Sequence, residues 1–462
     1  MQTETSQTGR VMAAIRARIE ARALTTGDRL PSIRRFASTM GVSPSTVVEA
    51  YDRLAAEGLI RAQPGSGFYV SATALPPLKL ARTATPQARA VDPFWVSRQS
   101  LDAEDDALMP GCGWLPPAWM PEAALRKSLR NLSRASTTLL TDYGSSLGSL
   151  TLRQLLIRRA AEDGLRIEPE QLMLTASGSQ ALDLLCRFLL RPGDVVLVDD
   201  PCYFNFQALL RAHQVKIESV PYTLDGPDMA AFEAALTTHQ PRLYLTNSAL
   251  QNPTGASISP QKAHRLLNLA SAHDLIIVED EIFADFEPEP STRLAALDGL
   301  THVIRIGSFS KTLSASIRCG YIAAKRDWID GLVDLQVASN FGGPSPMATE
   351  IIADVLTGGS YRKHMEEVRR RLARARREAA ERLARLGIAP WNVPRGGFYL
   401  WCRLPDEVDS AAIAQAALRQ GVLLAPGNIF SHARTAENFM RFNVAQMTES
   451  KVWEVLETAM RA

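Results

Sequence analysis

Apolar residues recur at two different spacings along this 462-residue chain, and the change from one to the other divides it. Near the start, Val11, Ile15 and Ile19 repeat every four positions, which places them on one face of a helix over about 11–21. The turn Gly27-Asp28-Arg29-Leu30-Pro31-Ser32 interrupts this pattern, and a short helix is expected over 33–40. Gly41-Val42-Ser43 reads as a tight turn, with Ser43 capping and Pro44 opening another helix that runs to about 57. Leu59-Ile60-Arg61 and the glycine-rich Gly65-Ser66-Gly67-Phe68-Tyr69-Val70 then predict a small hairpin. From about residue 108 onward, short strand-like runs at 171–174, 195–198, 243–245, 276–278 and 303–306 alternate with helical patterns. That alternation argues for βαβ units and a mostly parallel sheet. The texture changes again near Gly342-Gly343-Pro344. An arginine-rich stretch at 361–386 reads as one long helix with a solvated charged face, and a strand at 397–402 and a final helix close a smaller domain.

The expected fold class is therefore multidomain: a helix-turn-helix module of α+β type, then an α/β domain with a smaller α+β carboxy-terminal part. The expected boundaries are 1–72 for the first module, 73–107 for a linker and 108–462 for the rest, its large part about 145–340 and its small part about 341–462. The linker reading rests on SATALPPLKLARTATPQARAVDP, which is rich in Pro, Ala, Thr and Arg and has little periodicity.

Composition narrows the function classes. Hydrophobic content of 46% with 22% charged residues is ordinary for a globular protein with a sizeable core. A net charge of +2 gives no global field for nucleic acid, so any such signal has to be local. The first 70 residues hold nine arginines and no lysine against six acidic residues. The five cysteines are scattered without a CxxC pair, and the seven histidines show no HxH or HExxH spacing, so neither metal nor disulfide framework is indicated. No apolar run approaches the roughly 18 residues a spanning helix needs, and no signal-peptide pattern is visible; a cytoplasmic protein without membrane contact is expected.

The chemistry concentrates in Ser308-Phe309-Ser310-Lys311, followed by Arg318, just after the strand at 303–306. A lysine held between small hydroxyl residues, with an arginine seven positions on, suits an aldehyde cofactor that carries a phosphate. The amine would form a Schiff base while hydroxyls and guanidinium take the phosphate, and pyridoxal 5'-phosphate is the cofactor this suggests. Ser177-Gly178-Ser179-Gln180 follows a strand and opens a helix, where free N–H groups and the helix dipole favour a phosphate. Asp280 ends a buried strand and could keep a pyridinium nitrogen protonated; on its own it reads more readily as a strand-end turn cap. Asn252, in the turn Asn252-Pro253-Thr254-Gly255, could donate to a ring oxygen, and Tyr203 offers an aromatic face. In the first module, a helix opening Ser43-Pro44-Ser45-Thr46 presents small hydroxyls where a recognition helix meets bases and phosphates.

The run LPSIRRFASTMGVSPSTVVEAYDRLAAEGLIRAQPGSGFYV resembles the winged helix-turn-helix of the GntR family of bacterial regulators. That resemblance implies binding of a double-stranded DNA operator, with Arg34 on phosphate, Ser43, Ser45 and Thr46 in or beside the major groove, and Gly67 at the wing. Pro44 and Val48 depart from it, since some members carry arginine there. From about residue 108 the chain resembles a fold-type I aminotransferase, on the ordered motifs Tyr143-Gly144, SGSQ, DPCY, NPTG, DEIF, SFSK, Arg318 and Arg441. The resemblance implies that Lys311 carries the cofactor, Asp280 pairs with its ring nitrogen, Asn252 holds its ring oxygen and Tyr203 stacks on it. It further implies phosphate contacts from Ser179, Gln180, Ser308, Ser310 and Arg318, from Tyr143 of a neighbouring subunit in a homodimer, and a carboxylate grip by Arg441. Phe283 stands where the family often has a tyrosine that bonds the ring oxygen, a departure expected to slow chemistry without forbidding binding. The combined architecture resembles the MocR subfamily of GntR-type regulators. The expected function is a transcription regulator that senses pyridoxal phosphate or an amino compound, in a head-to-tail dimer. A working aminotransferase with incidental DNA binding, and a DNA-binding protein with a mere dimerisation scaffold, are the competing readings.

Overall fold

The computed structural model describes residues 6–21, 23–71, 91, 93–103, 106–405 and 408–461. Two compact units emerge, Met1–Arg89 and Ala90–Ala462.

In the first unit, helix α1 (Gln7–Glu20), α2 (Ile33–Met40) and α3 (Pro44–Ala56) pack around Val11, Ile15, Phe36, Val47, Tyr51 and Leu54. The turn between α2 and α3 needs a left-handed residue, and Gly41 supplies it at φ 66°. Ser43 caps α3 by accepting a hydrogen bond from the Thr46 amide, and Pro44 occupies the first helical position, where its missing N–H costs nothing. Strands β1 (Ile60–Gln63) and β2 (Gly67–Val70) form the antiparallel hairpin that the alternation predicts.

The second unit begins earlier than the expected boundary. Residues of the stretch read as linker fold into helix α4 (Pro93–Leu101), which buries Trp95 and Val96 in the main core. The linker reading at 73–107 is corrected there: this short helix is held by burial of an aromatic residue against the domain, which neighbouring prolines and alanines disguise in the sequence. Residues 73–90, 92, 104 and 105 of that stretch lie outside the described residues.

The central sheet has eight strands: β3 (Leu172–Thr175), β4 (Val195–Asp200), β5 (Lys216–Thr223), β6 (Gly226–Pro227), β7 (Leu243–Thr246), β8 (Ile276–Asp280), β9 (Val303–Ser308) and β10 (Gly320–Ala323). Their spatial order is β3-β10-β9-β8-β7-β4-β5-β6. Strands β9, β8, β7, β4 and β5 run parallel, while β10 and β6 are antiparallel to their neighbours. Successive residues of one strand feed opposite sides: Leu197 and Ile277 join one apolar cluster, Val196, Val198 and Val278 the other. Strands buried on both faces are why these runs are almost wholly apolar. Strand β5 escapes the sequence reading because it carries Lys216, Glu218 and Pro221, and β10, which opens on Gly320, escapes it too. The smaller sheet is antiparallel, β11 (Ala389–Pro390), β12 (Tyr399–Arg403), β13 (Ala425–Pro426) and β14 (Phe439–Asn443) in the order β11-β12-β14-β13. The long helix Ser360–Arg385 lies within a residue of its expected bounds at each end. No helix among the described residues is long and apolar enough to cross a membrane.

Candidate functional site

Parallel strands end at one edge of the sheet, and the polar residues that terminate them collect there, where open α/β sheets place ligands. Asp280 is the last residue of β8 and Ser308 the last of β9; the turn holding Asn252 follows β7. Asp280 is buried, with Oδ1 accepting from the Ile282 amide at 3.0 Å. Burial raises its pKa to about 6, against the Ile282 and Asn247 hydrogen bonds and the charge of Lys311, so at neutral pH it is an anion.

Lys311 stands in the turn after β9, partly buried, its Nζ 6.0 Å from the centre of the Trp114 ring. Burial lowers its pKa to about 8, Arg441 and Arg318 push the same way, and Asp280 opposes them. An amine titrating there is free often enough near neutrality to attack an aldehyde.

The residues expected to hold a phosphate gather where helix Gly178–Leu189 starts. Ser177 caps it, Oγ accepting from the Gln180 amide at 3.0 Å. The Gln180 side-chain oxygen turns back to accept from the Ala176 amide, so Gln180 contributes more to shaping the turn than to an open donor set. Ser179 is exposed at the helix start, where the first N–H groups have no intrahelical partner. Ser308 and Ser310 lie across from it, their hydroxyl oxygens 3.0 Å apart. A Cβ on Gly178 would come within 3.5 Å of the Ser308 Cβ, so the two halves of the cup adjoin. Strand β10 passes so close beneath that a Cβ on Gly320 would lie 2.7 Å from the Gly178 nitrogen. Replacing Ser177 with alanine is expected to cost about 1 kcal/mol through the lost cap, read as a lower urea midpoint.

Arg441, on β14, is fully buried. Its Nη1 donates to Asn252 Oδ1 at 2.9 Å and its Nη2 to the Gly111 carbonyl at 2.8 Å, joining the small sheet to the large one. Its Nε has no hydrogen-bond partner. Tyr203 is partly buried beside this group, its ring packed on Phe204 and Phe206. Phe283 is buried with its ring edge-on to Tyr399 at 5.5 Å. Arg318 is exposed at the rim. Tyr143 is 81% exposed, its ring edge-on to the likewise exposed Phe341. Sequence reasoning missed Asn247, Trp114 and Tyr399, none of which carries a local signal, and it placed Ser177 in the helix-opening turn without giving it the cap role.

In the first unit Arg34, Ser43 and Ser45 are exposed. The Ser43 Oγ lies 2.8 Å from both the Ser45 and Thr46 hydroxyl oxygens, so one small hydroxyl cluster crowns the start of α3. Gly67, at φ 110°, sits beside the Arg29 guanidinium at the wing. Among the described residues no acidic or histidine cluster could hold a metal.

Fold and site together define an aminotransferase-like domain of fold type I in a chain that opens with a winged helix-turn-helix. The family profile described as aminotransferase class I and II matches residues 114–458, and that for bacterial regulatory proteins of the gntR family matches residues 7–70. The chain belongs to the GntR-type transcription regulators that carry an aminotransferase domain, the MocR architecture. It is 32% identical over 431 residues to the HTH-type transcriptional regulator YdcR of Escherichia coli K12, covering 91% of each chain. It is 26% identical over 416 residues to the HTH-type transcriptional regulator NorG of Staphylococcus aureus USA300, covering 87% of this chain and 92% of the other. Among solved structures, a kynurenine aminotransferase from Pyrococcus horikoshii superposes with a TM-score of 0.72 at 24% identity, over 83% of this chain and 97% of that one. An archaeal alanine:glyoxylate aminotransferase matches with a TM-score of 0.72 at 26% identity, over 80% and 94%. The protein is thus a transcription regulator whose larger unit has an aminotransferase fold.

Proposed function

We propose that the larger unit binds pyridoxal phosphate at Lys311 and senses an amino compound there, and that this binding changes how the winged helix-turn-helix engages its operator. The observation that carries the reading is the convergence of Lys311, Asp280 and the Asn252–Arg441 pair at one sheet edge in a chain that retains a complete DNA-binding unit. The residues fit the group: an anion, Asp280, for a ring nitrogen; Asn252 for a ring oxygen; Tyr203 for a ring face; and Ser179, Gln180, Ser308, Ser310 and Arg318 for a phosphate. When bound, the cofactor supplies an aldehyde carbon for amines and an electron-withdrawing ring. Lys311 holds or yields the attachment point, and Arg441 orients an incoming carboxylate through its free N–H groups. Phe283 offers no hydroxyl to the ring, which suits retention of a ligand more than rapid turnover.

The exposed pair Tyr143 and Phe341 supports a homodimer in which Tyr143 completes the partner's phosphate site, head to tail. A domain division near residue 90 and a cytoplasmic location belong to the same reading. An effector then shifts the balance between arrangements that do and do not bind DNA.

The test is binding to DNA upstream of the neighbouring operon, with and without pyridoxal phosphate, for wild type and Lys311→Ala. A cofactor-dependent change in wild type alone is expected; identical binding in all four conditions refutes the proposal. A separate prediction concerns Arg34: Arg34→Ala is expected to weaken binding to all sequences alike and to lower the slope of log affinity against log salt by about 1, measured by anisotropy titrations at several salt concentrations. Catalysis is the second reading, favoured by the lowered Lys311 pKa; amino-acid-dependent 2-oxo-acid formation over many turnovers would establish it.

A further inference from the structure

Tyr399 is a buried phenol in this site to which the proposal above gives no task. It lies on β12 opposite Asn443, on the same face of the small sheet as Arg441, which is paired with Trp401. Its ring centre is 4.1 Å from the Arg441 guanidinium carbon, and the Phe430 ring centre is 4.8 Å from the same atom. Aromatic contacts of this kind cover the guanidinium's faces and leave its edge, with the unpartnered Nε, for a planar ligand. Tyr399 is only 5% exposed as a residue, and among the described residues its hydroxyl, which keeps some access to solvent, makes no hydrogen bond. Burial raises its pKa, so it is a donor at any physiological pH.

The hydroxyl also faces a gap. A Cβ built on Gly113 would lie 3.2 Å from the Tyr399 hydroxyl oxygen and 3.5 Å from Lys311 Nζ. The absent side chain therefore opens space that touches the phenol and the amine together. A ligand whose amino group reaches Lys311 and whose carboxylate reaches the edge of Arg441 has to pass that hydroxyl.

We propose that Tyr399 is a second recognition group for a carboxylate: its ring fixes the plane of Arg441, and its hydroxyl donates to a carboxylate oxygen. The site would then select amino carboxylic acids over amines that lack the acid group. This inference rests on the effector reading above and deepens it.

The test uses full-length protein loaded with pyridoxal phosphate and follows the visible absorption change on titration with an α-amino acid panel and the matching decarboxylated amines. Wild type, Tyr399→Phe and Tyr399→Leu are compared. Tyr399→Phe keeps the ring and removes the donor, so it should weaken amino acids about tenfold and leave the amines unchanged. Tyr399→Leu removes both and should weaken amino acids further, again sparing the amines. The starting spectrum of each variant verifies an intact cofactor site. Equal amino acid affinity in wild type and Tyr399→Phe overturns the role of Tyr399 while leaving the effector reading intact; so does an equal loss for amines. A wild type that responds to no amino compound overturns both.

Discussion

Lys311→Ala protein mixed with pyridoxal phosphate is expected to develop none of the visible absorption that covalent capture at Lys311 gives the wild type, and borohydride will fix no cofactor to its chain. On the proposed reading Lys311 is the amine that makes this attachment, so the effect is a complete loss. In the wild type the rate of capture should climb with pH and level off near 8, where burial has brought the Lys311 pKa. An ordinary lysine would go on gaining up to about pH 10.4. The same shift has a sign for stability. The unfolded chain holds this proton more tightly than the folded one, so stability from this group is lowest below pH 8 and rises as pH increases towards 10. A stopped-flow pH series on wild type with a rate still rising steeply above pH 9 would show that the amine is not perturbed in this way.

The second large effect concerns a buried ion cluster behind the site. Arg305 Nη2 lies 2.6 Å from Glu281 and 2.9 Å from Asp163, and Arg293 Nη2 lies 2.6 Å from Glu287 with its Nε 3.5 Å from Glu281. Glu281 is 4% exposed, and burial pushes its carboxyl up to about 8 even though Arg305 and Arg293 pull it down. Arg305→Met takes away the nearer cation. At pH 9, where the folded Glu281 carries charge in the wild type, the loss is expected to be about 3–5 kcal/mol, the usual cost of stranding a buried charge. At pH 6 the penalty should be smaller, because a protonated Glu281 needs no cation. The sign follows from a carboxyl raised in the folded state: its contribution to stability falls as pH rises through that value. All seven tryptophans lie beyond residue 90, so urea unfolding followed by tryptophan fluorescence reports the larger unit alone. A penalty equal at both pH values would mean that Glu281 is not the group left unpaired. Arg305→Met combined with Glu281→Leu should recover most of the loss, since an apolar pair needs no compensation.

Why Arg305 and Glu281 matter is hidden in sequence. Arg305 reads as a lone charge inside an apolar strand and Glu281 as one more acid just past a strand end, and nothing in the spacing of 281 and 305 shows that parallel pairing of β8 and β9 brings them together. Lys311, the proposed cofactor attachment point, is the opposite case. Ser308, Ser310, Lys311 and Arg318 sit within eleven consecutive positions, and this half of the proposed phosphate site is local enough to be read from spacing.

The same division runs through the molecule. Short-range chemistry is legible from the residues alone: Gly41 at the turn, Ser43 and Pro44 opening α3, the apolar runs of the parallel strands, and the ordered motifs from Tyr143-Gly144 to Arg441. These depend on backbone preferences and on contacts a few residues apart. Tertiary structure alone decided the rest. It folded Pro93–Leu101 onto the domain because burying Trp95 outweighs a proline-rich surrounding. It set Arg441 on Asn252, 189 positions away, and slid the Tyr399 ring beneath the guanidinium. Contacts at that separation are fixed by how two sheets pack, and a residue's own neighbours in the chain carry no record of them.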